Sequence, residues 1–141
     1  MLVRLLYASR VNGELPCDQI HSIMQQSHAN NPRQGITGIL CHTDHVFMQV
    51  LEGGREKVNA LYAAILRDPR HADVMLLTYE EIDERKYAGW TMGQVNLAKV
   101  NPSILLRFSD MPGLDPYALP GRSVLALIDE LVAAAAIIGR S

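Results

Sequence analysis

Gln49 makes the sharpest chemical demand in this sequence. It sits in Val46-Phe47-Met48-Gln49-Val50-Leu51-Glu52-Gly53, where strand alternation puts Val46, Met48 and Val50 on one face and Phe47, Gln49 and Leu51 on the other. Both faces are apolar, the pattern of a central strand covered on both sides. An amide buried there carries two N–H donors and a carbonyl acceptor, and leaving such a group unpaired costs on the order of 1–3 kcal/mol. Main chain, another side chain, water or a polar ligand must satisfy it. Tyr7 poses a related demand, because it ends the apolar row Val3, Leu5, Tyr7 with a hydroxyl that needs a partner. The motifs of harder chemistry are missing: there is no GxGxxG or P-loop pattern, no GxSxG elbow and no convincing Cys/His pair. His42-Thr43-Asp44-His45 has a spacing that suits two metal ligands, but it falls on an expected hairpin tip where polar residues are common. His21 and His28, seven apart on one helix, read as surface histidines, and no metal site is expected.

Composition narrows the classes further. The chain has 141 residues, 48% apolar and 20% charged, enough for one globular domain with a modest appendage. Its formal charge is -2 with 13 scattered Lys and Arg, against the clustered basic excess of a nucleic-acid surface. The longest apolar run, Leu131 to Gly139, falls short of the roughly 20 residues needed to span a bilayer. Met1-Leu2-Val3-Arg4 leads directly into a strand pattern without a signal-peptide core, so a cytoplasmic location is expected. Cys17 and Cys41 form no CxxC and read as reduced thiols.

The elements that must position Tyr7 and Gln49 follow from periodicity. Leu2 to Ser9 reads as a first strand. Gly13 and Pro16 open a helix whose inward stripe is Ile20, Ile23, Met24 and Ser27, ending near Asn30-Asn31-Pro32 because a residue before proline is pushed out of the helical region. Gly35 to His42 and the Gln49 stretch form a hairpin. Arg55 to Arg67 is a second helix with Val58, Leu61, Tyr62 and Ile65 on one face, stopped by Asp68-Pro69. Val74 to Tyr79 is a fourth strand, Glu80 to Gly89 a charged connection, and Thr91 to Leu97 a fifth strand beginning at Trp90. The order predicts an α+β, ferredoxin-like β-α-β-β-α-β domain over residues 1–97 with an added fifth strand. Residues 98–141 form a Pro/Gly-rich connector, with a short helix at Ser103 to Phe108, and C-terminal helix Arg122 to Ile138, N-capped by Ser123 and stopped by Gly139. The stripe Val124, Leu127, Ile128, Leu131, Ala135 and Ile138 is widened by Leu125, Val132 and Ala136, which suits packing on the open sheet face or docking of another subunit or partner.

Tyr7, Asn30-Asn31, Gly35-Ile36-Thr37-Gly38, Phe47-Met48-Gln49-Val50-Leu51-Glu52-Gly53, Arg67-Asp68-Pro69-Arg70-His71 and Trp90-Thr91-Met92, in this order and spacing, resemble a BLUF domain, a blue-light sensor that uses FAD. The resemblance covers about Leu2 to Val95, and the tail is similar to that of short, stand-alone BLUF photoreceptors. It implies a flavin between the two helices, with Ile23 and Ile36 as walls, Asn31 on the pyrimidine edge, Gln49 at N5 and O4, and Tyr7 bonded to Gln49. Ser27, Asn30, Asp68, Arg70 and His71 are implied along the remaining ring edge and ribityl chain, with Arg70 at the O2 end. Ala64 stands where several members carry a polar or charged side chain, so one peripheral contact departs from the pattern. The implied mechanism is a hydrogen-bond switch: electron and proton leave Tyr7 through Gln49, return, and leave the amide rotated or tautomerised. Trp90 and Met92, two apart, are expected on one face of the fifth strand beside Gln49, passing the change to the connector and last helix.

Three functions fit these residues: a non-enzymatic flavin photoreceptor signalling to a partner protein and forming a homo-oligomer, a ferredoxin-like flavin redox protein, and a flavin-free regulatory module in which Gln49 is a core amide. FAD is the cofactor that the resemblance implies, with FMN the alternative.

Overall fold

The computed structural model describes residues 1–11, 16–111 and 113–133, with main chain alone at 16–19. Gly13, Pro112, and the expected Gly139 stop with Ala135, Ala136 and Ile138 lie outside the described residues. Strand β1 (Leu2–Val11) leads to helix α1 (Pro16–Gln34), the hairpin β2 (Thr37–His42) and β3 (Val46–Gly54), helix α2 (Arg55–Arg67), then β4 (His71–Ile82) and β5 (Gly93–Asn96). Beyond them come α3 (Pro102–Leu106) and α4 (Gly121–Ala133), with single 3-10 turns at Leu97–Lys99 and Pro116–Ala118.

The sheet runs β4-β1-β3-β2-β5. β1 is antiparallel to β3 and β4, β2 is antiparallel to β3, and β5 lies parallel to β2. This is the expected ferredoxin-like α+β fold, its fifth strand added beside β2. The alternation along β3 becomes two separate cores. Phe47 and Leu51 join Val3, Leu5, Tyr7, Ile23, Met24 and Val58 beneath α1 and α2. Met48 and Val50 join Leu6, Ala8 and Ile39 against Val124, Leu127, Ile128 and Leu131 of α4. Leu125 and Val132 pack partly buried on that second core, so contact with the sheet accounts for the width of the stripe on α4 as far as it is described. Among the described residues no helix is long and apolar enough to cross a membrane.

Several boundaries differ from expectation, each for a physical reason. α1 continues through Pro32 to Gln34, since a proline in the last turn forfeits only one main-chain bond. Gly35 at φ 69° then ends it, the left-handed position that glycine takes without strain. β4 runs on to Ile82 through residues that read as a charged loop, because Glu80 and Glu81 pair with Arg4 and Val3 on an edge strand whose side chains stay wet. Ser123 is not the N-cap of α4; the helix starts at Gly121, and the Pro120 carbonyl accepts from Ser123 and Val124. β5 begins at Gly93, so Trp90 and Met92 lie outside it.

Gly38 is fixed by packing. A Cβ there would lie 1.9 Å from the Val50 carbonyl oxygen, across the β2–β3 ladder, whereas one at Gly54 would meet nothing within 4 Å. Gly38→Ala should therefore lose about 3 kcal/mol of stability in urea unfolding. Gly54→Ala, the control, should change it by less than about 1 kcal/mol.

Candidate functional site

Tyr7 and Gln49 are register partners across the β1–β3 ladder, so their side chains leave the same face side by side. Both are buried, and the Tyr7 hydroxyl donates to Gln49 Oε1. The Gln49 Nε2 donates to Met92 Sδ at 3.4 Å. Burial pushes the Tyr7 phenol well above its ordinary pKa, and the charge of Asp68 adds to the effect, so the phenol stays a donor. The amide is held firmly at its oxygen and meets a weak thioether acceptor at its nitrogen.

Around this pair the two helices and the α2–β4 turn build a cleft with about 110 Å³ of enclosed space, partly open to solvent. Ile23, Gln26, Ser27, Asn30 and Asn31 line it from α1, Leu61, Ala64 and Ile65 from α2, and Asp68, Arg70 and His71 from the turn and the start of β4. Asn31 is buried and its Nδ2 donates to the Thr91 carbonyl at 3.3 Å. The Arg70 guanidinium grips the Asp68 carboxylate and holds that carboxyl below its usual range. It also reaches α1, at 3.0 Å from Ser22 Oγ and 2.6 Å from Gln26 Oε1. His71 is buried against Phe47 and Tyr7, its Nδ1 2.7 Å from Ser9 Oγ.

Nine of the expected residues thus meet in one cleft: Tyr7, Ile23, Ser27, Asn30, Asn31, Gln49, Asp68, Arg70 and His71. Ile36 instead lines an adjoining cleft with Gln34, Lys57 and Ala60, which shares Asn30, Asn31 and Leu61 with the first. The shared face expected for Trp90 and Met92 is corrected. Met92 is fully buried in the core under α1 and α2, whereas Trp90 packs on the α4 side and stacks on Tyr87. A strand would have kept both on one face; the bend at 91–92 carries the chain around the edge of β2 instead. Sequence reasoning missed Ser22 and Gln26, which share a helical face with Asn30 at spacings of four, and His28, whose Nε2 lies 3.0 Å from the Met92 carbonyl. His42, half of the dismissed metal pair, is buried and hydrogen-bonded to Gln94.

Aliphatic walls with amides along one side suit a flat heteroaromatic ring with a polar edge, a flavin isoalloxazine among them. The donor set fits as well, since among the described residues the Gln49 Nε2 pairs with sulfur in a buried setting where an oxygen or ring-nitrogen acceptor would bond better.

Burial lowers the pKa of His71 from its ordinary value, with Asp68 opposing. The unfolded chain therefore binds a proton that the folded site resists, and stability contributed here is lost as pH falls below about 6.5. Urea midpoints measured from pH 7.5 to 5 should show a shallower decline for His71→Gln than for the unsubstituted chain.

The profile of the family described as "BLUF: Sensors of blue-light using FAD" matches residues 2–93. Photoactivated adenylate cyclase subunit beta of Euglena gracilis is 36% identical over 92 residues, covering 64% of this chain and 11% of its own length. The chain thus spans only a small part of that curated relative. The photo-activated state of BlsA superposes with a TM-score of 0.85 at 28% identity, over 100% of this chain and 99% of that one. BlrP1 of Klebsiella pneumoniae, solved with FMN and cyclic diGMP, superposes with a TM-score of 0.70 at 30% identity, over 94% of this chain and 36% of its own. With its family profile, its ferredoxin-like sheet and its cleft between α1 and α2, the chain belongs to the BLUF family of flavin-binding blue-light sensors.

Proposed function

We propose that this BLUF domain holds FAD with the isoalloxazine ring in the α1–α2 cleft and works as a photoreceptor without enzymatic output, switching a hydrogen-bond network and signalling to a partner protein. The observation that carries the reading is the bond from Tyr7 to Gln49 at the floor of the cleft, with Met92 on the far side of the amide. Ile23, Leu61 and Ile65 wall the ring, while Asn31 and Gln49 supply donors to its polar edge. Asp68 orients Arg70, and Ser27, Asn30 and His71 line the remaining boundary. The adjoining cleft at Ile36, with Lys57 at its wall, offers room for the dinucleotide tail and favours FAD over the FMN found with BlrP1.

When bound, the flavin becomes a strong oxidant on absorbing blue light. Tyr7 would then supply to it an electron and, through Gln49, a proton, both of which would return to the phenol as the pair recombines. Its raised pKa keeps the proton in place until the electron leaves. The Gln49 amide ends rotated or tautomerised, its donor turned away from the Met92 sulfur. Because Asn31 and His28 hold the carbonyls of Thr91 and Met92, the lost contact bears on the segment before β5 rather than on a free side chain. A redox carrier is the weaker reading, since a buried Tyr–Gln pair suits switching better than hydride transfer. A cytoplasmic location and self-association belong to this proposal through the resemblance to short BLUF receptors; the described part of the α4 stripe, as far as Val132, packs on the sheet.

Absorption spectra of the purified chain in the dark, after blue light and during dark recovery test the proposal, together with identification of the flavin released on denaturation. The expected result is FAD with a small red shift that reverses unaided; a spectrum altered only by added reductant would overturn it. Gln49→Leu and Tyr7→Phe should keep the flavin and abolish the shift, whereas Trp90→Ala, on the other face, should change dark recovery more than the shift.

A further inference from the structure

On the sheet face opposite the cleft, a polar row runs from strand to strand. Glu80, Arg4, Glu52 and Thr37 are successive register partners across β4, β1, β3 and β2, and they share the face that packs on α4. Arg4 bonds Glu80 at 3.0 Å and Glu52 at 2.9 Å. Glu52 is fully buried. Besides Arg4, its carboxylate accepts from the main-chain N–H of Lys86 at 3.0 Å and of Tyr87 at 2.9 Å. Arg85 donates to Thr37 Oγ1 at 3.1 Å, and Gly38 N donates to the Trp90 carbonyl at 3.2 Å. The crossover from β4 to β5 is thus laid along this row. Tyr87 stacks on Trp90, with ring centroids 5.9 Å apart, and its hydroxyl donates to Asp129 Oδ1 of α4 at 3.1 Å.

We propose that Glu52 and Tyr87 are positioning residues that make helix α4 respond to the state of the Gln49 amide, Glu52 by anchoring the crossover and Tyr87 by joining it to Asp129. The proposal rests on the photoreceptor reading and names the route inside it. β3 grips the crossover twice, through Gln49 at Met92 and, three residues on and from the other face, through Glu52 at Lys86–Tyr87. A buried carboxylate is tolerated only when its lone pairs are met, so the Glu52 end is a fixed point. A change at Met92 cannot be absorbed by sliding the whole segment, and falls on Trp90 and its stacking partner Tyr87. The Lys86–Asp129 ion pair is about half exposed on both sides and contributes little. Of the two polar contacts described between the crossover and Asp129, the one from the buried Tyr87 hydroxyl is the stronger, beside the apolar packing that Tyr87 and Trp90 share with α4.

The test is hydrogen exchange of the α4 amides at 121–133, dark and illuminated, on the full flavin-loaded chain, with the absorption shift recorded on the same samples. The unsubstituted chain should show the red shift and a light-dependent change in α4 exchange. Tyr87→Phe and Asp129→Asn, which leave the Glu52 anchor intact, should keep the shift while the α4 difference falls about tenfold, the size expected for losing a hydrogen bond to a charged group. Lys86→Ala should retain the α4 response. An α4 response that survives Tyr87→Phe beside a normal shift, or that Lys86→Ala removes as fully, would overturn the coupling alone. A flavin-loaded chain with no red shift would overturn the photoreceptor reading and the coupling with it.

Discussion

A buried amide on a strand covered on both faces is the constraint that the rest of this domain answers. Gln49 cannot turn to solvent, and neither of its strand neighbours on that face, Phe47 or Leu51, can pair with it. Its partners must come from other strands. The split βαβ connection provides the first by inserting β3 between β1 and β2, which makes Tyr7 its register partner although the two are 42 residues apart. The second comes from the far end of the crossover, where Met92 is turned inward. The two partners differ in kind: a protonated phenol is a strong donor, a thioether a weak acceptor. An amide held hard at its oxygen and softly at its nitrogen loses little when the donor leaves the sulfur, and the proposed switch would use that asymmetry.

Alternation on β3 divides the labour of the molecule. Phe47, Gln49 and Leu51 face the cleft; Met48, Val50 and Glu52 face α4. The apolar members of each set make two independent cores, and the two polar members sit one on each face. Because a strand in the middle of a sheet is stiff, the separation between Gln49 and Glu52 is fixed by the backbone. Any element bonded to both is referred to one rigid ruler, and the segment from Lys86 to Met92 is such an element.

The parts of this arrangement that the sequence made legible are those whose signal is local. A polar residue in an apolar row announces itself, so Gln49 and Tyr7 stood out, and the order of elements implied the sheet. Apart from the helix boundaries at Pro32 and Ser123, the errors share a cause: a path decided by distant contacts. Trp90 and Met92 have strand spacing, yet the bend around β2 puts them on opposite faces because Met92 is drawn to Gln49 and Trp90 to Tyr87. Glu80 and Glu81 read as loop because an edge strand keeps its charges in water. Glu52 drew no reading of its own, because nothing near it in sequence tells that its partners are main-chain amides 34 and 35 residues on. Ser22 and Gln26 gain meaning only when Arg70 arrives from the α2–β4 turn.

The crossover itself shows why the polar row is where it is. β4 lies on one edge of the sheet and β5 on the other, so the chain after Ile82 must traverse the full width above apolar side chains. Its main-chain N–H and C=O groups would be left unpaired there, since strand interiors have none to spare. Glu52 answers two of the donors and Gly38 one of the acceptors, while Arg4 balances the charge that Glu52 brings. An amphipathic helix could have crossed without such help, but it would have met the sheet through side chains alone. An irregular segment bonded through its backbone follows the strands beneath it, and that dependence is what the proposed coupling from β3 to the helix on the opposite face would use.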